Sequence, residues 1–240
     1  MTHPHGKRHG PTHQQLSMNL EKGGLKSEKN SIHPSLILVY VFLGLITVGT
    51  FALWLPPATV SGKEPPFMTA LFTATSAATG TGLIVTDTVS YWSPFGQQII
   101  LGLIQLGGLA ALIGFSLFLL RIARHTTGEE KFLLRESMHV SSGKGIAGLV
   151  VGVVLYALIA EAAGAWFLFR HFSADQPQPV ALWMGLFHSI SAFNNAGFDA
   201  IGLANYSTDS VVNLIIAGLV VLGGISFIAI VEVVQVRSFS

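Results

Sequence analysis

Cysteine is absent from the 240 residues, which excludes disulfides, thiolate metal sites and cysteine nucleophiles. Charge is scarce as well. Lys+Arg number 13 and Asp+Glu 12, together 10% of the chain, against about 25% in ordinary soluble domains. Nor is there an H-E-x-x-H, a G-x-S-x-G or a Walker A motif, so no enzymatic centre is expected. What remains is apolar. Half of the positions are hydrophobic and the mean hydropathy is +0.59, so polar groups are too few to cover a globular surface and lipid is the expected solvent for much of the chain.

Residues 1–34 read as a polar cytoplasmic tail with Lys7, Arg8, Lys22, Lys26 and Lys29. Its His3, His5, His9 and His13 lack a defined ligand geometry, and no metal is expected there. Four long apolar runs follow: Leu36–Leu55, Phe95–Leu120, Ile146–Phe169 and Val211–Val236. The first is a charge-free stretch of 20 residues, long enough as a helix for the hydrocarbon core of about 30 Å. Between the runs lie two short apolar segments, Phe67–Ala78 and Val180–Phe193, whose 12 and 14 residues cannot cross. Eleven of the 13 basic residues fall before the first run, between the second and third, or after the fourth. If the short segments enter and leave by one face, all eleven lie inside, as the positive-inside rule prefers. Re-entrant segments and a cytoplasmic N-terminus are therefore expected, with basic residues explained by topology and anionic lipid rather than nucleic acid. Between the halves, residues 121–145 form a cytoplasmic loop that suits a short amphipathic helix over Glu129–Met138.

The chain also resembles itself. A shift of 115 residues superposes Leu71-Phe72 on Leu186-Phe187, Ser76-Ala77 on Ser191-Ala192, Gly82 on Gly197 and Tyr91 on Tyr206. One inserted residue later, Leu106-Gly107-Gly108 meets Leu222-Gly223-Gly224. The expected fold is an all-α membrane protein of two parallel repeats, 35–120 and 146–240, each a span, a re-entrant pore helix with its loop, and a second span. After each short helix comes a stretch that cannot continue it: Thr79, Gly80, Thr81, Gly82 and Leu83 in one copy, Asn194, Asn195, Ala196, Gly197 and Phe198 in the other. Non-helical backbone at membrane depth survives only inside protein or beside a water-filled path. Its carbonyls can replace the hydration shell of a monovalent cation, and glycine at 80, 82 and 197 supplies the backbone freedom to aim them.

The stretches LFTATSAATGTGLIVTDT (Leu71–Thr88), QLGGLAALIG (Gln105–Gly114) and LFHSISAFNNAGFDAIG (Leu186–Gly202) resemble the Trk/Ktr potassium-transporter superfamily, nearer its Ktr branch. The resemblance covers about Ser35 to Val236 and implies a multi-pass plasma-membrane protein. It further implies four such units around one pore, K+ as the transported ion, and a cytosolic nucleotide-binding regulatory subunit of the TrkA/KtrA kind. Carried over, Gly82 and Gly197 are the filter glycines, with Thr79–Leu83 and Asn194–Phe198 the ion-binding carbonyl segments. Only two of the four units are present. The chain is expected to be a fragment of a longer reading frame; alternatively two copies pair to complete the pore, or half a pore is a nonconducting scaffold.

Other residues carry plainer expectations. Gly107-Gly108 and Gly223-Gly224 suit close helix packing. Glu161, charged and mid-span, serves either a buried hydrogen bond or coupling and gating. His188 is expected to be a structural hydrogen-bonding residue rather than a pH sensor. Asp87 and Asp199, just past the loops, are read as solvated loop carboxylates, with cation enrichment at the entrance as the alternative.

Overall fold

A computed structural model describes residues 34–125, 143–200 and 202–225, and all of its regular structure there is helical. Repeat one contains α1 (Pro34–Trp54), α2 (Phe67–Thr79), a short α3 (Thr88–Tyr91) and α4 (Pro94–His125). Repeat two contains α5 (Gly143–Phe172), α6 (Gln178–Phe193), a 3-10 turn over Leu203–Tyr206 and α7 (Ser210–Gly224). The turn lies 115 residues after α3, the offset read from the sequence. The expected tail, the helix over Glu129–Met138 and the end of the chain lie outside the described residues.

Three stretches, Leu36–Trp54, Pro94–Phe118 and Ala147–Phe172, are long and apolar enough to cross a bilayer. They are apolar on nearly all sides because their outward faces meet lipid: Tyr40, Val48, Leu158 and Ile159 are all exposed. With 13 and 16 residues, α2 and α6 reach only about 20–24 Å and cannot cross. Both turn back. Past α1, Val60 N–H donates to the Tyr91 carbonyl (3.0 Å) and Ser93 N–H to that of Ala58 (2.9 Å), so the chain leaves the first loop at the end where it entered. In the last turn of α5, His171 Nε2 lies 2.7 Å from Asp209 Oδ2, which closes the second hairpin at the same kind of position. This end is called the mouth below.

Equivalent contacts hold each repeat together. A Cβ on Gly49 of α1 would stand 2.6 Å from Leu103 of α4, and one on Gly164 of α5 would stand 2.7 Å from Leu219 of α7. Glycine at these related positions lets the two long helices of a repeat approach closely. The main buried cluster joins Leu53, Ala74, Ile100 and Ile104 of repeat one to Phe187, Ala196 and Phe198 of repeat two, so the halves share one core.

Helix α7 covers the start of the fourth apolar run and stops at Gly224, where Ile225 is extended (φ −81°, ψ 127°); the remainder of that run, 226–236, lies outside the described residues.

Candidate functional site

Each short helix ends in the same hydrogen-bonded reversal. In α2, Gly80 N–H donates to the Ala77 carbonyl (3.4 Å) and Thr81 N–H to that of Ser76 (3.0 Å). In α6, Asn195 N–H donates to Ala192 (3.0 Å) and Ala196 N–H to Ser191 (2.8 Å). This 6→1, 5→2 pattern requires one left-handed residue, supplied by Gly80 (φ +65°) and by Asn195 (φ +55°), a residue type that tolerates that region. A second left-handed residue follows two positions later, Gly82 (φ +73°) and Gly197 (φ +68°). The backbone then continues without helix or strand. Among the described residues, no hydrogen bond reaches the carbonyls of Thr81, Gly82, Asn195, Ala196 or Gly197.

The two loops lie against each other in register. A Cβ on Gly80 would stand 3.3 Å from the Asn194 carbonyl oxygen, and one on Gly82 would stand 2.6 Å from that of Ala196. Gly197 has more room, its nearest neighbour being the Gly82 Cα at 3.9 Å. All ten residues expected at the site therefore fall in this pair of loops: Thr79 closes α2, Asn194 directly follows α6, and the rest form the non-helical stretches. Ala196 and Phe198 turn their side chains into the core, whereas Leu83 is exposed.

The inner glycines seat these loops. A side chain on Gly107 of α4 would strike the Ala78 carbonyl oxygen, and one on Gly223 of α7 the Phe193 carbonyl oxygen; both oxygens belong to the last turn of the short helix in the same repeat. Packing is thus their role, as expected. The next glycine differs. Gly108 gives room to Asn194 Oδ1 of the other repeat, while its counterpart Gly224 has no described atom within 4 Å. On the side of the loops away from the mouth, a cavity of about 330 Å³ opens between α4 and α7, lined by Phe115, Phe193, Asn194, Asn195 and Gly223.

Side chains behind the loops differ between repeats. In repeat two, Ser191 Oγ donates to the Phe198 carbonyl (2.9 Å). His188, fully buried, places Nδ1 at 2.8 Å from the Met184 carbonyl and Nε2 at 3.1 Å from Asp199 Oδ1. His188 thus makes hydrogen bonds of the kind expected of it. Asp199 departs from the solvated carboxylate expected of it, since it also accepts from Gly202 N–H (2.8 Å). In repeat one Thr73 replaces the histidine, and Thr79 Oγ1 bonds the Thr75 carbonyl (2.8 Å) and the Thr81 hydroxyl (2.6 Å). Asp87 caps α3; hydrogen bonds from the Ser90 hydroxyl and amide hold its carboxyl below the usual range, against desolvation and the like charge of Asp199. Glu161 is 4% exposed and accepts a 3.0 Å hydrogen bond from Asn194 Nδ2, a link across helices that sequence spacing did not reveal.

The TrkH family, described as cation transport proteins, matches residues 13–240. The Ktr system potassium uptake protein B of Bacillus subtilis is 35% identical over 224 residues, covering 92% of this chain and 50% of that protein. Its namesake in Vibrio alginolyticus is 33% identical, over 88% of this chain and 46% of the relative. The potassium/sodium uptake protein NtpJ of Enterococcus hirae is 30% identical, over 85% and 46%. The chain spans about half the length of the curated relatives it matches.

Proposed function

Because the chain belongs to the TrkH family of cation transport proteins, we propose that it contributes to potassium uptake across a plasma membrane, with Thr79–Leu83 and Asn194–Phe198 as filter segments. The observation that carries this reading is the matched pair of loops, alike in backbone and opposed in register, in which no hydrogen bond among the described residues reaches the carbonyls of Thr81, Gly82, Asn195, Ala196 or Gly197. Such carbonyls can take the place of water around K+. The short helices aim their C-terminal ends, worth about half a negative charge each, at the loops, which favours a cation and repels an anion. K+ then moves down its electrochemical gradient without covalent chemistry.

Two loops enclose half a ring, so the conducting assembly contains further units of the same kind, from a longer chain or a second copy. The contact of Gly108 with Asn194 of the neighbouring unit supports this, one unit's inner helix meeting the next unit's loop. The positive-inside rule favours a cytoplasmic N-terminus and a cytoplasmic basic stretch Arg121–Lys144, where a nucleotide-binding regulatory subunit would dock, with the mouth outside.

Expression in a bacterium lacking potassium uptake tests the proposal. Growth at limiting potassium should return, and vesicles carrying the purified assembly should admit rubidium in preference to sodium. A folded, inserted protein that moves neither ion would be the nonconducting scaffold instead; equal rubidium and sodium flux would remove the selective filter.

A further inference from the structure

A carboxyl group in the middle of a membrane span is expensive and calls for a structural or chemical reason. Glu161 of α5 is buried and touches α6 and the residue that follows it: its backbone carbonyl accepts from Ser189 Oγ (2.7 Å), and its side chain accepts from Asn194 Nδ2 (3.0 Å). Asn194 is the pivot between helix and loop. Its Nδ2 also reaches the Ile190 carbonyl (2.9 Å), its N–H bonds the same oxygen (3.1 Å), and its own carbonyl faces Gly80 of the other loop. On its far flank, Gly108 of α4 leaves room for Asn194 Oδ1.

Repeat one solves the same problem without help. The position matching Glu161 is Ile46, and that matching Asn194 is Thr79, whose hydroxyl binds its own helix at Thr75 and its own loop at Thr81. A threonine can anchor to the preceding turn; an asparagine amide, with two protons to satisfy, needs a second acceptor, and only another helix can provide it.

We propose that Glu161 is a positioning residue for ion selection, fixing through Asn194 the carbonyl that begins the second loop. The proposal rests on the uptake reading and assigns the role to geometry, so an isosteric acceptor should serve.

The rubidium-over-sodium flux ratio of the intact transporting assembly reads it. E161I, which copies repeat one, should lower the ratio about tenfold, the worth of one well-placed hydrogen bond. E161Q should keep most of it, because Oε1 still accepts from Asn194. E161I combined with N194T should regain selectivity, since threonine anchors itself. N194A supplies a second route to the same loss if E161I does not fold, and thermal melting of each variant separates misfolding from altered selection. An unchanged ratio in folded E161I or N194A overturns the proposal, as does E161Q as damaging as E161I, which would make charge rather than position decisive. An unmutated protein that moves no ion overturns the uptake reading and this role with it; loss confined to the variants bears on Glu161 alone.

Discussion

The two repeats share a backbone and differ in what pins it. Both short helices end with the same pair of reversals, and both rest on an inner-helix glycine. Repeat one holds its loop with its own hydroxyls, Thr79 and Thr81, and leaves the buried Ser76 hydroxyl unpartnered. Repeat two recruits residues from outside the loop: Ser191 and His188 behind it, and Glu161 from another helix. Duplicated backbone geometry thus tolerates divergent side-chain support, provided that the helix end and the left-handed positions survive. The conserved skeleton and the divergent supports should respond differently to perturbation.

The largest effect should come from the shared skeleton. Gly107→Leu and Gly223→Leu each drive a side chain into the carbonyl that ends a short helix, and neither backbone can yield without moving a loop. Overpacking of this kind should cost about 3 kcal/mol in each repeat, read as equal losses of thermal stability in detergent. The next glycines should break the symmetry: Gly108→Leu displaces Asn194, whereas Gly224→Leu meets no described neighbour. Similar damage at Gly224 would show that this face too is packed in the working protein, against a further unit or the residues beyond 225.

The second effect is smaller and reads the left-handed positions. An alanine at φ near +70° costs roughly 1–2 kcal/mol wherever it is placed. Gly82→Ala adds a contact with the Ala196 carbonyl, whereas Gly197→Ala has space. Rubidium-over-sodium selectivity should therefore fall about tenfold or more in the first and less in the second. Equal losses would mean that another carbonyl row covers Gly197 in the working assembly.

The skeleton was legible in the sequence because it depends on local chemistry repeated at a fixed offset. Gly80, Gly82 and Gly197 mark positions where only a permissive backbone serves, and the offset of 115 residues relates α3 to the turn at Leu203–Tyr206. Short apolar length alone identified α2 and α6 as unable to cross. The supports were not legible. Whether Glu161 meets Asn194 depends on the rotation of α5 against α6, and whether His188 meets Asp199 depends on the path of the returning strand; neither leaves a periodic trace.

The smallest effect separates the repeats by acid. Repeat one closes its mouth through backbone bonds, Val60 to Tyr91 and Ser93 to Ala58, which do not titrate. Repeat two closes it through Asp209, whose carboxyl is held below the usual range by the Val212 amide, His171 and the Val211 amide. A depressed carboxyl pKa stabilises the fold above the unfolded value, and that contribution disappears as pH falls through the folded value. Hydrogen-exchange protection at Val211 and Val212 should therefore drop between neutral pH and about pH 3, while Val60 and Ser93 keep theirs. Asp209→Asn should give the reduced protection at neutral pH and little further change in acid. Parallel loss at both mouths would show that the repeats open as one unit, and the division between backbone and side-chain closure would then have no consequence for stability.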